Sequence, residues 1–219
     1  MMLIAVPLTD EDFENRVKEV KEKGADIVEL RVDTFSDTSV ERVREMLEYV
    51  CDVGLRTILT VRSPREGGRH VSNREEILEK LAPLSDYTDI ELSSGETISR
   101  LAPLVRQHGK KLIISYHDFE RTPPPWVIRE VLREGYRRGG IPKVAVMAHT
   151  LEDVQRLLCA ASEEKYEKIL ISMGEVGRVS RVCAYVFGSV ITYASFKTSL
   201  APGQLPLEEM VRLRELIFT

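Results

Sequence analysis

Apolar and polar positions alternate in short runs along this chain, and stretches of helical spacing separate the runs. The runs are LIAVPL from Leu3, DIVELRVD from Asp26, RTILTVRS from Arg56, YTDIELS from Tyr87, KLIISYHD from Lys111, PKVAVMA from Pro142, KILISMG from Lys168 and SVITYASF from Ser189. They are rich in β-branched and aromatic residues, which pack well on a pleated surface. Between the first two runs, Phe13, Val17 and Val20 fall on one helical face. Thr9 with Asp12 three residues on predicts the start of that helix, and Gly24 its stop. Ser72 with Glu75 and Thr150 with Asp153 repeat the start signal, and Gly109 repeats the stop.

Alternating strands and helices imply parallel strands joined by right-handed crossovers. About eight such units in 219 residues fit a closed (β/α)8 barrel, one domain over residues 1–219. The competing fold is an open doubly wound sheet, whose strands are covered on both faces and should be nearly all apolar. ELRVD instead alternates charge with aliphatic residues. Setting Val28, Leu30 and Val32 against outer helices turns Glu29, Arg31 and Asp33 inward, and the same period groups Asp89 with Glu91 and Thr60 with Arg62. A barrel lumen gives these side chains a shared destination. Burying an isolated ion there costs roughly several kcal/mol, so the mixed signs predict an organised network.

Composition narrows the partners. The chain has 31 Lys and Arg against 35 Asp and Glu, a net charge of -4, and no long run of like sign. This weighs against nucleic acid or a membrane surface and for a small neutral or anionic metabolite. Cys51, Cys159 and Cys183 are an odd number, widely spaced and without a C-x-x-C pair, so neither a disulfide framework nor a metal site is expected and the chain reads as cytoplasmic. The N-terminus MMLIAVPLTD lacks the basic start and long apolar stretch of a signal peptide, and no apolar run reaches about 18 residues. Charged residues make up 30% of the chain while Asn and Gln are scarce, a bias reported for hyperthermophile proteins.

Candidate chemistry follows from strand phase. Lys143 shares the parity of Ala145 and Met147, which points it into the lumen; the competing reading is an exposed lysine at a strand start. In a lumen that also holds Arg31 and Arg62, desolvation and like charge would lower its pKa from ~10.4. A neutral amine is what attack on a carbonyl requires. His117 lies near the C-terminal end of its strand, in phase with Ile113 and Ser115, where barrels gather catalytic groups, although a hydrogen-bonded structural histidine is equally compatible; His70 and His149 are further candidates. Arg62 and Glu66 bracket RSPRE before Gly67 and Gly68, either as part of the site or as a solvated turn. KTSLAPGQLP, with Gly203, Gln204 and then Pro206 at a helix start, is a closing lid or a simple connection.

Taken together, ELRVD, a TxR strand followed by EGG, YHDF, IPKVAVM, SMG with a downstream SR, and APGQ resemble the type I 3-dehydroquinate dehydratase family in order, over nearly the whole chain. The resemblance implies dehydration of 3-dehydroquinate to 3-dehydroshikimate in the shikimate pathway through a Schiff base on Lys143. It implies no metal or organic cofactor, with His117 as acid and base and Glu66 positioning it. It also implies substrate binding by Glu29, Arg31, Arg62, Gln204 and Arg181, the last holding the substrate carboxylate, whereas position alone leaves Arg181 an ordinary exposed residue at a helix start. A homodimer is the family precedent. The chain departs from the family in having Leu200 immediately before APGQ, with Ser199 one place earlier, where many members have Ser, and in a shortened N-terminal extension. Some relatives carry a fused shikimate dehydrogenase domain; with the sequence stopping soon after its eighth helical stretch, a stand-alone enzyme is the expectation. Two other classes fit the barrel: a lysine-imine aldolase, and a non-catalytic barrel that binds a carboxylated metabolite with Arg62 and Arg181.

Overall fold

The computed structural model describes residues 2–218. Each alternating run becomes a strand: β1 (Leu3–Leu8), β2 (Ile27–Arg31), β3 (Arg56–Thr60), β4 (Tyr87–Glu91), β5 (Lys111–Asp118), β6 (Ile141–Met147), β7 (Ile169–Met173) and β8 (Ile191–Ser195). The helices between them are α1 (Phe13–Glu22), α2 (Val40–Val53), α3 (Arg74–Leu81), α4 (Gly95–Gln107), α5 (Pro125–Arg137), α6 (Leu151–Ala161) and the short α7 (Ser180–Cys183). A two-residue strand, β9 (Leu205–Pro206), pairs with the end of β8 and leads into α8 (Leu207–Phe218). Pro206 therefore precedes the helix it was expected to start.

Strands β1 to β7 pair in chain order, all parallel, and β8 returns to pair with β1. The last seam closes at its N-terminal end, where Lys168 bridges Ser189 and the Val190 N–H donates to the Lys168 carbonyl at 2.9 Å. The sheet is thus a (β/α)8 barrel rather than an open doubly wound sheet.

Period-two alternation sorts the strand residues as the sequence predicts. Ile27, Ile58, Tyr87, Ile113, Ile141, Ile169 and Ile191 meet inside and plug the lumen at the strand starts. Val28, Leu30, Leu59, Ile90 and Ile114 pack outward on one group of helices, and Val144, Val146 and Leu170 on another. Each such aliphatic side chain contributes about 1.5–3 kcal/mol by burial, so a one-residue slip of any strand would forfeit several contributions at once. The register is what fixes the polar residues in the lumen above the plug.

Thr150 and Asp153 form the predicted capping box, and Gly24 and Gly109 have φ of +91° and +67° after their helices. Two predicted caps do not form. Asp12, in a left-handed conformation, precedes α1, and the Thr9 hydroxyl accepts from Arg16 at 3.3 Å instead. Asn73 precedes α3, while Glu75 accepts from Thr97 at 2.9 Å and Arg100 at 2.6 Å. At Thr9 a side chain of α1 itself takes the hydroxyl, whereas at Glu75 partners from α4 take the carboxylate that local pairing would have used. Among the described residues, no helix is long and apolar enough to cross a membrane.

Candidate active site

The eight residues singled out as catalytic or substrate-binding line one cleft at the C-terminal mouth of the barrel. Glu29 and Arg31 come from β2, His117 from β5 and Lys143 from β6. Arg62 follows β3, Glu66 ends a single 3-10 turn, Arg181 lies in α7, and Gln204 precedes β9. Apolar Pro7, Phe119, Ile171 and Met173 complete much of the wall, with Leu200 and Ala201 from the loop before β9. His70 and His149 lie outside it; the His149 ring is 2.7 Å from the Glu120 carbonyl.

Lys143 does point inward, and it is 4% exposed. Its Nζ donates to Asp89 Oδ2 at 2.9 Å and to the Tyr193 hydroxyl at 3.2 Å, and lies 4.3 Å from the centre of the Tyr193 ring. The sequence placed arginines around this amine; the fold adds a carboxylate directly against it. Asp89 also accepts from Arg62 Nη2 at 2.8 Å and from the Ser115 hydroxyl at 2.6 Å. Burial alone would raise the Asp89 pKa, but Arg62 and Lys143 hold it well below the ordinary carboxylate range. Arg62 reaches Glu91 at 3.1 Å and Ser115 at 2.9 Å as well. Burial opposes the Arg62 charge, and Asp89, Glu91 and Glu29 more than offset that cost. Arg74, from the first turn of α3, donates to the other Glu91 oxygen at 2.6 Å. This is the organised mixed-sign network the lumen required.

Arg31 makes two bonds to Asp33, at 2.9 and 2.8 Å, and Glu29 accepts from the Thr60 hydroxyl at 2.7 Å. The His117 Nδ1 stands 2.8 Å from Glu66 Oε2. Burial first, then the cations Arg62 and Lys143, push the imidazole well below 6.5, which favours its neutral form. Burial raises Glu66 to about 7. When Nδ1 carries the shared hydrogen toward the Glu66 carboxylate, Nε2 keeps its lone pair. Gly68 lets this loop fold back, since a Cβ there would stand 2.0 Å from the Arg62 carbonyl oxygen.

Arg181 is 1% exposed, not the surface residue its helical position suggested. The upper part of the β7–β8 seam lacks strand pairing, and α7 fills it. Ser180 Oγ accepts from Ser172 N of β7 at 2.9 Å, while Arg181 Nη1 donates to the Tyr193 carbonyl of β8 at 3.3 Å. Arg181 also donates to the Gly203 and Pro202 carbonyls at 2.8 and 3.0 Å. Those bonds engage three of its five N–H donors, and among the described residues no carboxylate pairs with it. Burial lowers its pKa to about 10. A buried cation of this kind, lining a cleft with donors to spare, is an anion site in chemical terms.

The loop before β9 packs on the turn after β7: Gly203 has φ +74°, and a Cβ there would lie 2.1 Å from the Gly174 carbonyl oxygen. Gln204 Oε1 accepts from Leu200 N at 2.9 Å and from the Ser199 hydroxyl at 3.2 Å. Leu200 lines the cleft, whereas Ser199 is turned to bonds within the loop. Sequence reasoning had placed Asp89 in the lumen without naming its partner, and it had passed over Tyr193. The phase of Tyr193 with Ile191 was the available signal for the latter.

Known proteins resemble this chain along its full length. The sequence profile of the Type I 3-dehydroquinase family matches residues 4–219. The 3-dehydroquinate dehydratase of Aquifex aeolicus is 64% identical over 99% of each chain, and that of Hydrogenobaculum is 50% identical over the same shares. The crystal structure of the Aquifex aeolicus protein superposes with a TM-score of 0.97 over 99% of each chain. That of the Clostridium difficile Type I 3-dehydroquinate dehydratase, solved with covalent modified comenic acid, superposes with a TM-score of 0.90 at 31% identity, covering 99% of this chain and 92% of the other. The chain belongs to the type I 3-dehydroquinase family.

Proposed function

We propose that this chain is a hydro-lyase that converts 3-dehydroquinate to 3-dehydroshikimate and water, in the shikimate pathway of aromatic amino-acid biosynthesis, through an imine on Lys143. The observation that carries this reading is one cleft that holds a buried amine, a histidine favoured neutral and the counterion-free Arg181. That set suits a ketone bearing a carboxylate. The full-length likeness to 3-dehydroquinate dehydratases supports the choice of substrate.

The Lys143 nitrogen adds to the substrate ketone, two of its protons finish on the carbonyl oxygen, and water leaves. The resulting iminium draws electrons from the adjacent carbon, whose proton passes to Nε2 of His117. The enamine then expels the β-hydroxyl, which takes a proton from the imidazolium and leaves as water; addition of one water to the remaining iminium and cleavage of its C–N bond free the product ketone and restore Lys143. Glu66 accepts from Nδ1–H, fixing the tautomer and stabilising the transient positive charge. Because the iminium is itself the electron sink, the chemistry needs no metal or organic cofactor. The two free donor positions of Arg181 take the substrate carboxylate, and Glu29, Arg31, Arg62 and Gln204 bind and orient the rest of the ring.

We place the enzyme in the cytoplasm as a homodimer. Exposed Val179 and Ile217, around an apolar groove between α7 and α8, are the surface a second copy would cover. Incubation with 3-dehydroquinate, followed by ultraviolet absorbance of the conjugated product, tests the activity. Turnover is expected. Silence under conditions in which the Aquifex aeolicus relative turns over would reject it.

A further inference from the structure

The proposed chemistry gives no role to Tyr193, although this side chain lines the cleft beside the nucleophile. It projects inward from β8 in phase with Ile191 and is 4% exposed. Its oxygen accepts from Lys143 Nζ at 3.2 Å. Among the described residues no other group bonds to this hydroxyl, so the phenolic proton has no acceptor in the protein. Filling space needs only the ring, and a buried hydroxyl costs free energy unless its polar atoms are used. Its one spare donor therefore stands free beside the reacting nitrogen.

Imine formation poses a problem that this donor solves. Two protons must travel from nitrogen to the former carbonyl oxygen, atoms separated by a single carbon. Direct transfer would pass through a strained four-membered ring, whereas an intervening hydroxyl makes a six-membered path of nitrogen, hydrogen, phenolic oxygen, hydrogen, carbonyl oxygen and carbon. Asp89 is the other group on Nζ, and Arg62 and Lys143 hold its carboxylate too weakly basic to serve as a proton carrier. Burial, with Glu29 and Asp89 nearby, keeps the phenol protonated well above pH 10, as a relay that ends each pass neutral requires.

We infer that Tyr193 is a catalytic residue of the Schiff-base step, its hydroxyl accepting a proton from Lys143 Nζ while it passes its own proton to the substrate oxygen. In the first pass one nitrogen proton is relayed to the carbonyl oxygen and the lone pair this frees forms the C–N bond, giving a carbinolamine protonated on nitrogen. In the second pass another nitrogen proton reaches the hydroxyl, the C–O bond breaks and water leaves. The iminium keeps one hydrogen and the positive charge, and the phenol is restored each time. The inference rests on Lys143 acting as the imine nucleophile.

The test is rapid mixing with 3-dehydroquinate, quenching with borohydride at intervals, and mass measurement of the reduced adduct, for wild type and Tyr193→Phe. The phenylalanine keeps the ring against Lys143 and removes the hydroxyl alone. Adduct formation should slow by roughly 100-fold, the size of a general acid–base contribution. kcat should fall with KM little changed, and the thermal midpoint should be preserved. In heavy water the wild-type adduct should form more slowly, a measurement that needs no variant. Wild-type adduct kinetics in Tyr193→Phe, or equal wild-type rates in light and heavy water, would overturn the relay. A wild type that forms no adduct at all would remove the Lys143 reading and the relay with it, whereas a rapid adduct in both proteins would remove the relay alone.

Discussion

Glu66 and His117 lie 51 residues apart in the chain and 2.8 Å apart in the fold. One ends the turn after β3 and the other sits near the end of β5, so only closure of the strands between them brings carboxylate and imidazole together. Burial raises Glu66 to about 7, while burial and the neighbouring cations push His117 below its ordinary value. The pair titrates as a unit. As pH falls through about 7 it takes up a proton on Glu66, and the base function of His117 is lost with the change of tautomer.

The acid limb of kcat/KM is therefore expected near pH 7 in wild type. In Glu66→Gln that limb should move below about 6.5, because only the depressed histidine then titrates, and the plateau should drop. A pH profile of both proteins checks this, and an unmoved limb in the variant would contradict the coupling.

His117→Ala should still load substrate onto Lys143 but slow the elimination by about 10²- to 10⁴-fold. Borohydride trapping without product formation is the expected pattern. Normal turnover would reassign the acid and base.

Arg181→Lys keeps the charge and loses the planar donor fork. Loss of a charged hydrogen bond is worth about 1.5–3 kcal/mol, which at about 1.4 kcal/mol per decade raises KM roughly 10- to 100-fold. Steady-state kinetics with an unchanged KM would place the substrate carboxylate elsewhere.

Asp89→Asn removes the shared anion between Lys143 and Arg62. Leaving those buried cations short of a partner should cost about 3–5 kcal/mol of stability, read by denaturant unfolding. Unaltered stability would mean that Glu91 and Glu29 alone balance the lumen.

Much of this was legible in the sequence because a barrel strand has a strict period. ELRVD, YTDIE and PKVAVM each declare an outer and an inner face, and the inner face is where Glu29, Asp89 and Lys143 are found. Less legible was whatever depends on neighbours across the barrel. Nothing in IPKVAVM announces that Asp89, 54 residues earlier, sits against Lys143. Nothing in VSRVCAY announces that Ser180 and Arg181 stand in for missing strand pairing in the β7–β8 seam. The same physics defeated the predicted cap at Ser72, where partners from α4 hold Glu75, while at Thr9 the competitor was Arg16 of the following helix.

The central claim is that Lys143 carries the substrate. Its most direct test is mass spectrometry after incubation with 3-dehydroquinate and borohydride, comparing wild type with Lys143→Ala and mapping the modified peptide. A reduced adduct on Lys143, absent from a variant that still folds, is the expected result. An adduct on another residue, or turnover retained by a folded Lys143→Ala, would contradict it.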